Sequence, residues 1–408
     1  MKDYIRQPYY NELWQALQGQ INLIQAVVGP RQVGKTTLAL QLFERWNGPR
    51  IYETADQPNI PSFEWINTHW QKIRELYKKQ RGKSLLILDE VQKIPHWSEV
   101  VKKLFDEDRR QNSNIRVLLL GSSSLLMHRG LSESLAGRFE LQRHNQWSFP
   151  ECRDCFSLTL KEYIYFGGYP GALIIRKDEL RWASYVRDSL IETVLSKDII
   201  LLSPIAKPIL LRQSFGMAID YAAQVISYQK MLGTLQDAGN TTTIASYLQL
   251  LSNAFLLTPL QRYSGSRIRQ RGSIPKMLIF DNGLISAMRG ENFKTVIKDK
   301  AIWGRLVENV AGAQLYFITK KKGGELFYWR ERDNEIDYVL KIGSRLQGIE
   351  IKSGRPDKKP AAFESFKKKY KKSESIIISD AKSSKIDFIR NINLYDFFNN
   401  PEKIFTSR

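Results

Sequence analysis

The feature that most limits what this chain can become is Gly29-Pro30-Arg31-Gln32-Val33-Gly34-Lys35-Thr36, which reads G-x-x-x-x-G-K-T. Residues 21–28 before it are apolar enough for a buried parallel strand. Residues 37–43 after it carry apolar side chains at helical spacing. In that strand–turn–helix context the glycines let backbone N–H groups turn toward a polyphosphate. Lys35 then reaches the β and γ phosphates, and the Thr36 hydroxyl holds Mg²⁺. The predicted nucleotide-binding set is therefore Gly29, Pro30, Arg31, Gln32, Val33, Gly34, Lys35, Thr36 and Thr37, with ATP and Mg²⁺ as cofactors.

A second fixed point follows at Ser84-Leu85-Leu86-Ile87-Leu88-Asp89-Glu90. Four apolar residues in a row read as a strand buried on both faces. An Asp-Glu strand end about fifty residues after a phosphate loop has two jobs: Asp89 acts on Mg²⁺ through its water shell, and Glu90 polarises the attacking water. The strand at residues 115–120 runs into Gly121-Ser122-Ser123-Ser124. A polar side chain at that strand end can touch the γ phosphate or the water, so Ser122 and Ser123 are candidates; a plain serine turn is the alternative. Arg138 opens a short fifth strand and is a candidate arginine finger or phosphate sensor, against the ordinary reading of a solvated charge. Order and spacing give an α/β domain with a doubly wound parallel sheet, its ligand at the carboxyl ends of the strands.

The formal charge of +20 points to a polyanionic partner, nucleic acid first. Residues 261–408 hold about 31 Lys and Arg against about 17 Asp and Glu, so most of the excess lies in the last third. No apolar run approaches the length of a membrane span, and the first residues lack the apolar core of a signal peptide. The expected location is the cytoplasm, with no membrane partner. Two cysteines, Cys152 and Cys155, make one C-x-x-C pair, and without a second pair they read as a chance surface pair rather than zinc ligands.

Residues 156–202 are helical, broken by a loop at Gly167-Gly168-Tyr169-Pro170-Gly171, and read as a helical lid. Residues 209–222, 225–233 and 241–251 read as three helices before a strand-like tail, the winged-helix arrangement. The third helix starts without Lys or Arg, so reading DNA and binding protein both stay open for it. Further on, Glu308 lies on a helix, Asp337 on a strand, and Glu350-x-Lys352 on the next strand. This is a D…E-x-K constellation in which alternation puts Glu350 and Lys352 on one sheet face. Two or three carboxylates could bind Mg²⁺ while Lys352 orients the water; a half-buried salt bridge is the alternative. Lys358, Lys359, Lys367, Lys368, Lys369, Lys371 and Lys372 would contact phosphates if DNA binds there, or else solvate a helix face.

Taken together, G-P-R-Q-V-G-K-T-T at 29–37, L-L-I-L-D-E-V-Q at 85–92, L-L-L-G-S-S-S at 118–124 and L-A-G-R at 135–138 resemble a prokaryotic family. Further along, F-G-G-Y-P at 166–170, F-D-N-G-L at 280–284, V-E-N at 307–309, E-I-D-Y-V at 335–339 and I-E-I-K-S-G at 349–354 carry the same resemblance. Its members are AAA-type P-loop ATPases fused to a C-terminal domain of unknown function. The resemblance implies an ATPase core, a winged-helix middle and a restriction-endonuclease-like end. It implies Ser122 as sensor and Arg138 as a phosphate-contacting arginine. The expected domains are an ATPase core over 1–155, the lid over 156–206, the winged helix over 207–265 and the nuclease-like domain over 266–408. The expected function is an ATPase that couples nucleotide state to its C-terminal domains on nucleic acid. The alternatives are a Mg²⁺-dependent DNA nuclease gated by ATP, and a non-cleaving switch that binds protein or DNA. A homo-oligomer is required if Arg138 acts in trans.

Overall fold

The computed structural model describes residues 4–121, 134–199, 205–235, 240–266, 268, 270, 272–355 and 360–406. Ser122 and Ser123 therefore lie outside the described residues, as do Lys358 and Lys359. The chain divides into two compact units, Met1–Asn145 and Gln146–Arg408.

In the first unit, α1 (Gln7–Gln18) leads into β1 (Ile24–Val28), α2 (Lys35–Arg45), β2 (Arg50–Thr54) and α3 (Phe63–Lys79). Then come β3 (Ser84–Asp89), α4 (Trp97–Arg110), β4 (Ile115–Gly121) and β5 (Phe139–Arg143). The strands run parallel in the order β2-β3-β4-β1-β5. The apolar run of β3 is buried throughout, because its side chains alternate between two covered faces. Leu85 and Ile87 join Leu13, Leu17, Leu38 and Leu42 in one core on the α1 and α2 side. Across the unit, α3 is tied to α4 by charge-assisted bonds: Arg74 Nε donates to Asp108 Oδ1 at 2.7 Å, and Trp70 Nε1 donates to Asp108 Oδ2 at 2.7 Å. The strand order puts the carboxyl ends of β1 and β3 one strand apart, on either side of β4. This is the α/β arrangement expected from the sequence.

The second unit opens with α5 (Phe149–Phe156), α6 (Leu160–Phe166), α7 (Pro170–Leu173) and α8 (Glu179–Tyr185), the last continued by a π-helical turn over Val186–Ile191. Next are α9 (Pro208–Asp220), α10 (Tyr228–Thr234), α11 (Thr241–Asn253) and the antiparallel ribbon of β6 (Leu257–Leu260) with β7 (Lys276–Ile279). Then follow α12 (Asn282–Arg289), α13 (Phe293–Val296) and the long α14 (Lys300–Lys321). A six-stranded sheet ends the chain. Its strands are β8 (Glu325–Glu331), β9 (Asn334–Ile342), β10 (Arg345–Ile351), β11 (Glu374–Ser379), β12 (Ser384–Ile386) and β13 (Ile389–Asn393), in the order β12-β13-β11-β10-β9-β8. The meander β8-β9-β10 is antiparallel, whereas β10-β11 and β11-β13 are parallel. Helices α14 and α15 (Ala361–Lys369) pack on this sheet, and α16 (Leu394–Asn399) closes it.

The C-x-x-C helix α5 falls in the second compact unit, where the Phe149 and Tyr395 rings meet at 5.6 Å. Two other boundaries read from the sequence change. The break after α6 is shorter than expected, because Pro170 starts α7 in its first turn, where a missing N–H costs nothing. The boundary placed at 265/266 cuts the β6–β7 ribbon, since the two strands pair across it in register Leu257↔Ile279.

The segment read as a lid is built into the second unit by a buried polar network. Asn282 Nδ2 donates to the carbonyls of Ile164 at 2.7 Å and Leu306 at 2.8 Å. Asn309 Nδ2 donates to the Ile279 carbonyl, and its Oδ1 accepts from the Ile279 N–H. Asp281 accepts from the N–H groups of Gly168 at 2.7 Å and Gly283 at 2.8 Å. A Cβ on Gly167, whose φ is +75°, would lie 1.9 Å from Asp281 Oδ1. The F-G-G, D-N-G and E-N signatures are thus packing signatures: glycines for close approach, amides and a carboxylate for backbone groups that no strand satisfies.

Burial pushes the Asp281 carboxyl up to about 7, against the two N–H donors that favour its charged form. A carboxyl raised above its unfolded value of about 3.9 binds its proton more tightly when folded, so its contribution is full below that pH and is lost as pH rises through 7. An alanine there leaves both buried N–H groups without an acceptor. Asp281→Ala should destabilise the second unit by about 2–3 kcal/mol at pH 5, and the gap to wild type should narrow by pH 8. Urea unfolding at both pH values reads this; a gap that widens with pH would contradict it.

Candidate functional sites

The phosphate loop begins where β1 ends. Gly29 is required there, because a Cβ would lie 2.3 Å from the backbone oxygen of His144. Gly34 takes a left-handed φ of 91°, which turns the chain into the first residue of α2. Lys35 is buried to 7% exposure, and its Nζ donates to the carbonyls of Gly29 at 2.8 Å and Pro30 at 2.7 Å. Its ammonium is therefore held over the loop that the sequence assigns to phosphate. Thr36 Oγ1 donates to Asp89 Oδ2 at 2.8 Å, which brings the two signatures together at the carboxyl edge of the sheet. A hydroxyl and a carboxylate at that distance are the oxygen donors a hard cation takes.

Two further side chains hold the acidic pair. Tyr52 Oη, on β2, also donates to Asp89 Oδ2, at 2.9 Å. Burial and the Asp89 charge raise the Tyr52 phenol, so it remains a donor. Glu90 adopts a left-handed φ of 56°, and its Oε2 accepts from Gln92 Nε2 at 2.6 Å. On the other side of the loop, Arg6 donates to the carbonyls of Val33 at 3.2 Å and Asn145 at 3.0 Å. His144 is fully buried beside the loop with its ring 4.2 Å from that of Tyr9, and neither ring nitrogen has a hydrogen-bond partner. Burial, then the charges of Arg6 and Lys35, hold its imidazole well below the usual range and keep it neutral.

Arg138 is not at this site. It immediately precedes β5, whose first residue pairs with Ile24 at the amino end of β1, so the arginine lies at the edge of the sheet opposite the loop. Its guanidinium is bidentate on Asp106 of α4, at 2.7 and 3.0 Å. A cis contact with a phosphate on the loop is out of reach, a strand's length away.

In the second unit the four predicted carboxylate and lysine positions do converge, around a residue that sequence reasoning did not include. Lys276, first residue of β7, is 1% exposed. Its Nζ lies 2.6 Å from Glu308 Oε1, 3.6 Å from Glu335 Oε1 and 3.9 Å from Asp337 Oδ1. Asp337 Oδ2 accepts from the Ile351 N–H at 2.8 Å, and Lys352 Nζ lies 2.7 Å from Glu350 Oε1. Burial and the Asp337 charge push the Glu308 and Glu350 carboxyls up. Burial alone would lower Lys276, but Glu308 and Asp337 outweigh it and keep the ammonium charged. The Tyr338 ring lies 5.0 Å from Lys276 Nζ, and Gly312 makes room for it, since a Cβ there would be 2.2 Å from the phenol. The sequence signal for Lys276 was a lysine heading an otherwise apolar run, Met277-Leu278-Ile279-Phe280. Cys152 is buried and Cys155 half-buried on α5, and neither forms a disulfide.

Residues 22–153 match the family described as an AAA domain, residues 157–295 a domain of unknown function (DUF8612), and residues 303–395 another (DUF4143). Lys276 thus falls in the second span and its carboxylate neighbours in the third. An uncharacterized protein of Mycobacterium tuberculosis is 28% identical over 330 residues, covering 80% of this chain and 69% of its own length. One from Haemophilus influenzae is 24% identical over 351 residues, covering 81% and 82%. The structure of the Aeropyrum pernix Orc1 protein in complex with DNA is similar at 13% identity and a TM-score of 0.30, covering 71% of this chain and 92% of that one. Among the described residues no helix is long and apolar enough to cross a membrane. With its loop, sheet order and family match, the first unit is a P-loop α/β domain of the AAA type.

Gly29→Ala tests the loop geometry. The added methyl must displace the His144 backbone or the loop itself, so ATP-analogue affinity should fall at least tenfold while far-UV circular dichroism stays that of wild type. Unchanged affinity would contradict the close approach.

Proposed function

We propose that this chain is an ATP-binding and hydrolysing, cytoplasmic AAA-type ATPase whose nucleotide state is coupled to a second unit that engages nucleic acid. The observation that carries the reading is the Thr36–Asp89 hydrogen bond, which joins the phosphate loop to the acidic strand end with Lys35 beside them. In this reading Lys35 would exchange the Gly29 and Pro30 carbonyls for the β and γ phosphates, and Mg²⁺ would be held by Thr36 and, through its water shell, by Asp89. Magnesium, when bound, supplies charge to the leaving phosphates. Tyr52 fixes the Asp89 carboxylate in orientation. Glu90 takes the role of general base, and Gln92 restrains it until substrate draws the carboxylate toward the water. Ser122 is proposed as sensor. Arg138 contributes only in trans, from a neighbouring copy.

For the second unit, α9, α10 and α11 with the β6–β7 ribbon support a winged-helix reading, as a DNA or a protein module. A long helix, an antiparallel meander and parallel strands after a further helix support a restriction-endonuclease-like reading of the C-terminal sheet. The basic end of α15, with Lys367, Lys368 and Lys369, offers phosphate contacts. The nuclease alternative is favoured by the meeting of Glu308, Asp337, Glu350 and Lys352, and disfavoured by the ammonium among them.

Lys35→Ala should abolish ATP turnover, and Glu90→Gln should bind ATP but hydrolyse it at least a hundredfold more slowly; steady-state phosphate release and nucleotide affinity read the two apart. Full turnover in Lys35→Ala would sink the ATPase reading. DNA binding should weaken steeply with added salt, and a salt-independent affinity would remove the basic surface from the argument. Plasmid cleavage lost in Asp337→Ala would move the protein to the nuclease class.

A further inference from the structure

The carboxylates of the second unit gather around a cation that the chain brings itself. The Lys276 ammonium is held at a fixed point, 2.6 Å from Glu308 and within 4 Å of Glu335 and Asp337. The Asp337 carbonyl oxygen also accepts from it, at 3.3 Å. A magnesium ion needs several oxygen ligands at about 2.0–2.1 Å in near-octahedral array. Two of the carboxylate oxygens are hydrogen-bonded, Asp337 Oδ2 by the Ile351 N–H and Glu350 Oε1 by Lys352, and Glu308 Oε1 has the Lys276 ammonium at ion-pair distance. Glu350 Oε2 is buried without a hydrogen-bond partner. Among the described residues no three acidic, histidine or cysteine side chains converge closely enough to share one ion. The donor set therefore does not fit the divalent metal that a D…E-x-K pattern implies. A metal arriving at the cluster would meet a buried like charge that cannot swing into solvent, because Lys276 starts a paired strand and is walled in by the Tyr338 ring.

We propose that Lys276 is the resident cation of this cluster and closes it to divalent metal ions. The carboxylates then serve as the counter-charge that fixes the β6–β7 ribbon to the sheet, and the second unit binds its partner without cutting it. This goes beyond the ATPase reading and does not depend on it.

Mn²⁺ is the probe, counted by electron paramagnetic resonance on the full chain without nucleotide. Wild type should bind no Mn²⁺ that Asp337→Asn removes. Lys276→Met should bind one equivalent more than wild type, and Lys276→Met combined with Asp337→Asn should lose it. Every comparison changes only position 276 or 337, so any Mn²⁺ held at Thr36 and Asp89 cancels between variants, which separates this test from failure of the ATP site. An equivalent on wild type that disappears in Asp337→Asn overturns the proposal, as does a folded Lys276→Met that binds no more than wild type. If Lys276→Met does not fold, wild type against Asp337→Asn decides alone, since neither alters position 276.

Discussion

The second unit depends on one short segment, residues 276–284, which buries an ionisable side chain at its start and another past the end of β7. At its start the Lys276 ammonium is surrounded by carboxylates from α14 and β9. Past the end of β7, the Asp281 carboxyl accepts from the N–H groups of Gly168 and Gly283, and no ion pair to it is found among the described residues. Between them the Ile279 peptide is clamped on both sides by the Asn309 amide. The Lys276 ammonium cannot leave without uncovering buried carboxylates, which costs far more than the pairing contributes, and the Asp281 side chain cannot leave without stranding two N–H groups. The segment is consequently fixed in register, and α6, α12 and α14 take their positions from it.

The first unit solves a different problem. Its charged and polar groups meet at a sheet edge, where strand order alone brings them together. Placing β4 between β1 and β3 puts the loop and the Asp89 carboxylate at the same edge, and Tyr52 reaches the same oxygen from β2. Asp89 Oδ2 accepts two hydroxyl hydrogen bonds, so its orientation is set before any ligand arrives. Preorganisation of this sort lowers the reorganisation cost of binding a charged substrate.

This difference explains what could be read from the sequence. The phosphate loop and Asp89-Glu90 were legible because each is a local pattern whose context, a strand end, is itself local. Arg138 was read as opening the fifth strand, and a residue that opens a strand parallel to β1 lies at the edge opposite the loop, which leaves only the trans reading of its role. Glu350-x-Lys352 was legible for the same local reason, as alternation within one strand. Lys276 was not, because it is 61 residues from Asp337 in the chain and meets it only through the packing of a ribbon on a sheet. The ribbon was missed as a unit too, since its halves are separated by residues 261–275 and the second half read as the start of another domain.

The same contrast bears on how the two acidic sites differ in chemistry. Asp89 neighbours hydroxyl donors, Thr36 and Tyr52, which a cation can displace or share. Asp337 and Glu308 neighbour an ammonium, which a cation must expel. Hydroxyls leave a carboxylate its full charge, whereas a buried ammonium cancels it at contact distance, where the low polarity of the interior makes the cancellation strongest. On the proposed readings, two clusters that look alike as sequence, an acid pair at a strand end and a D…E-x-K, are opposite in their appetite for metal, and the residue that reverses the second comes from outside the motif.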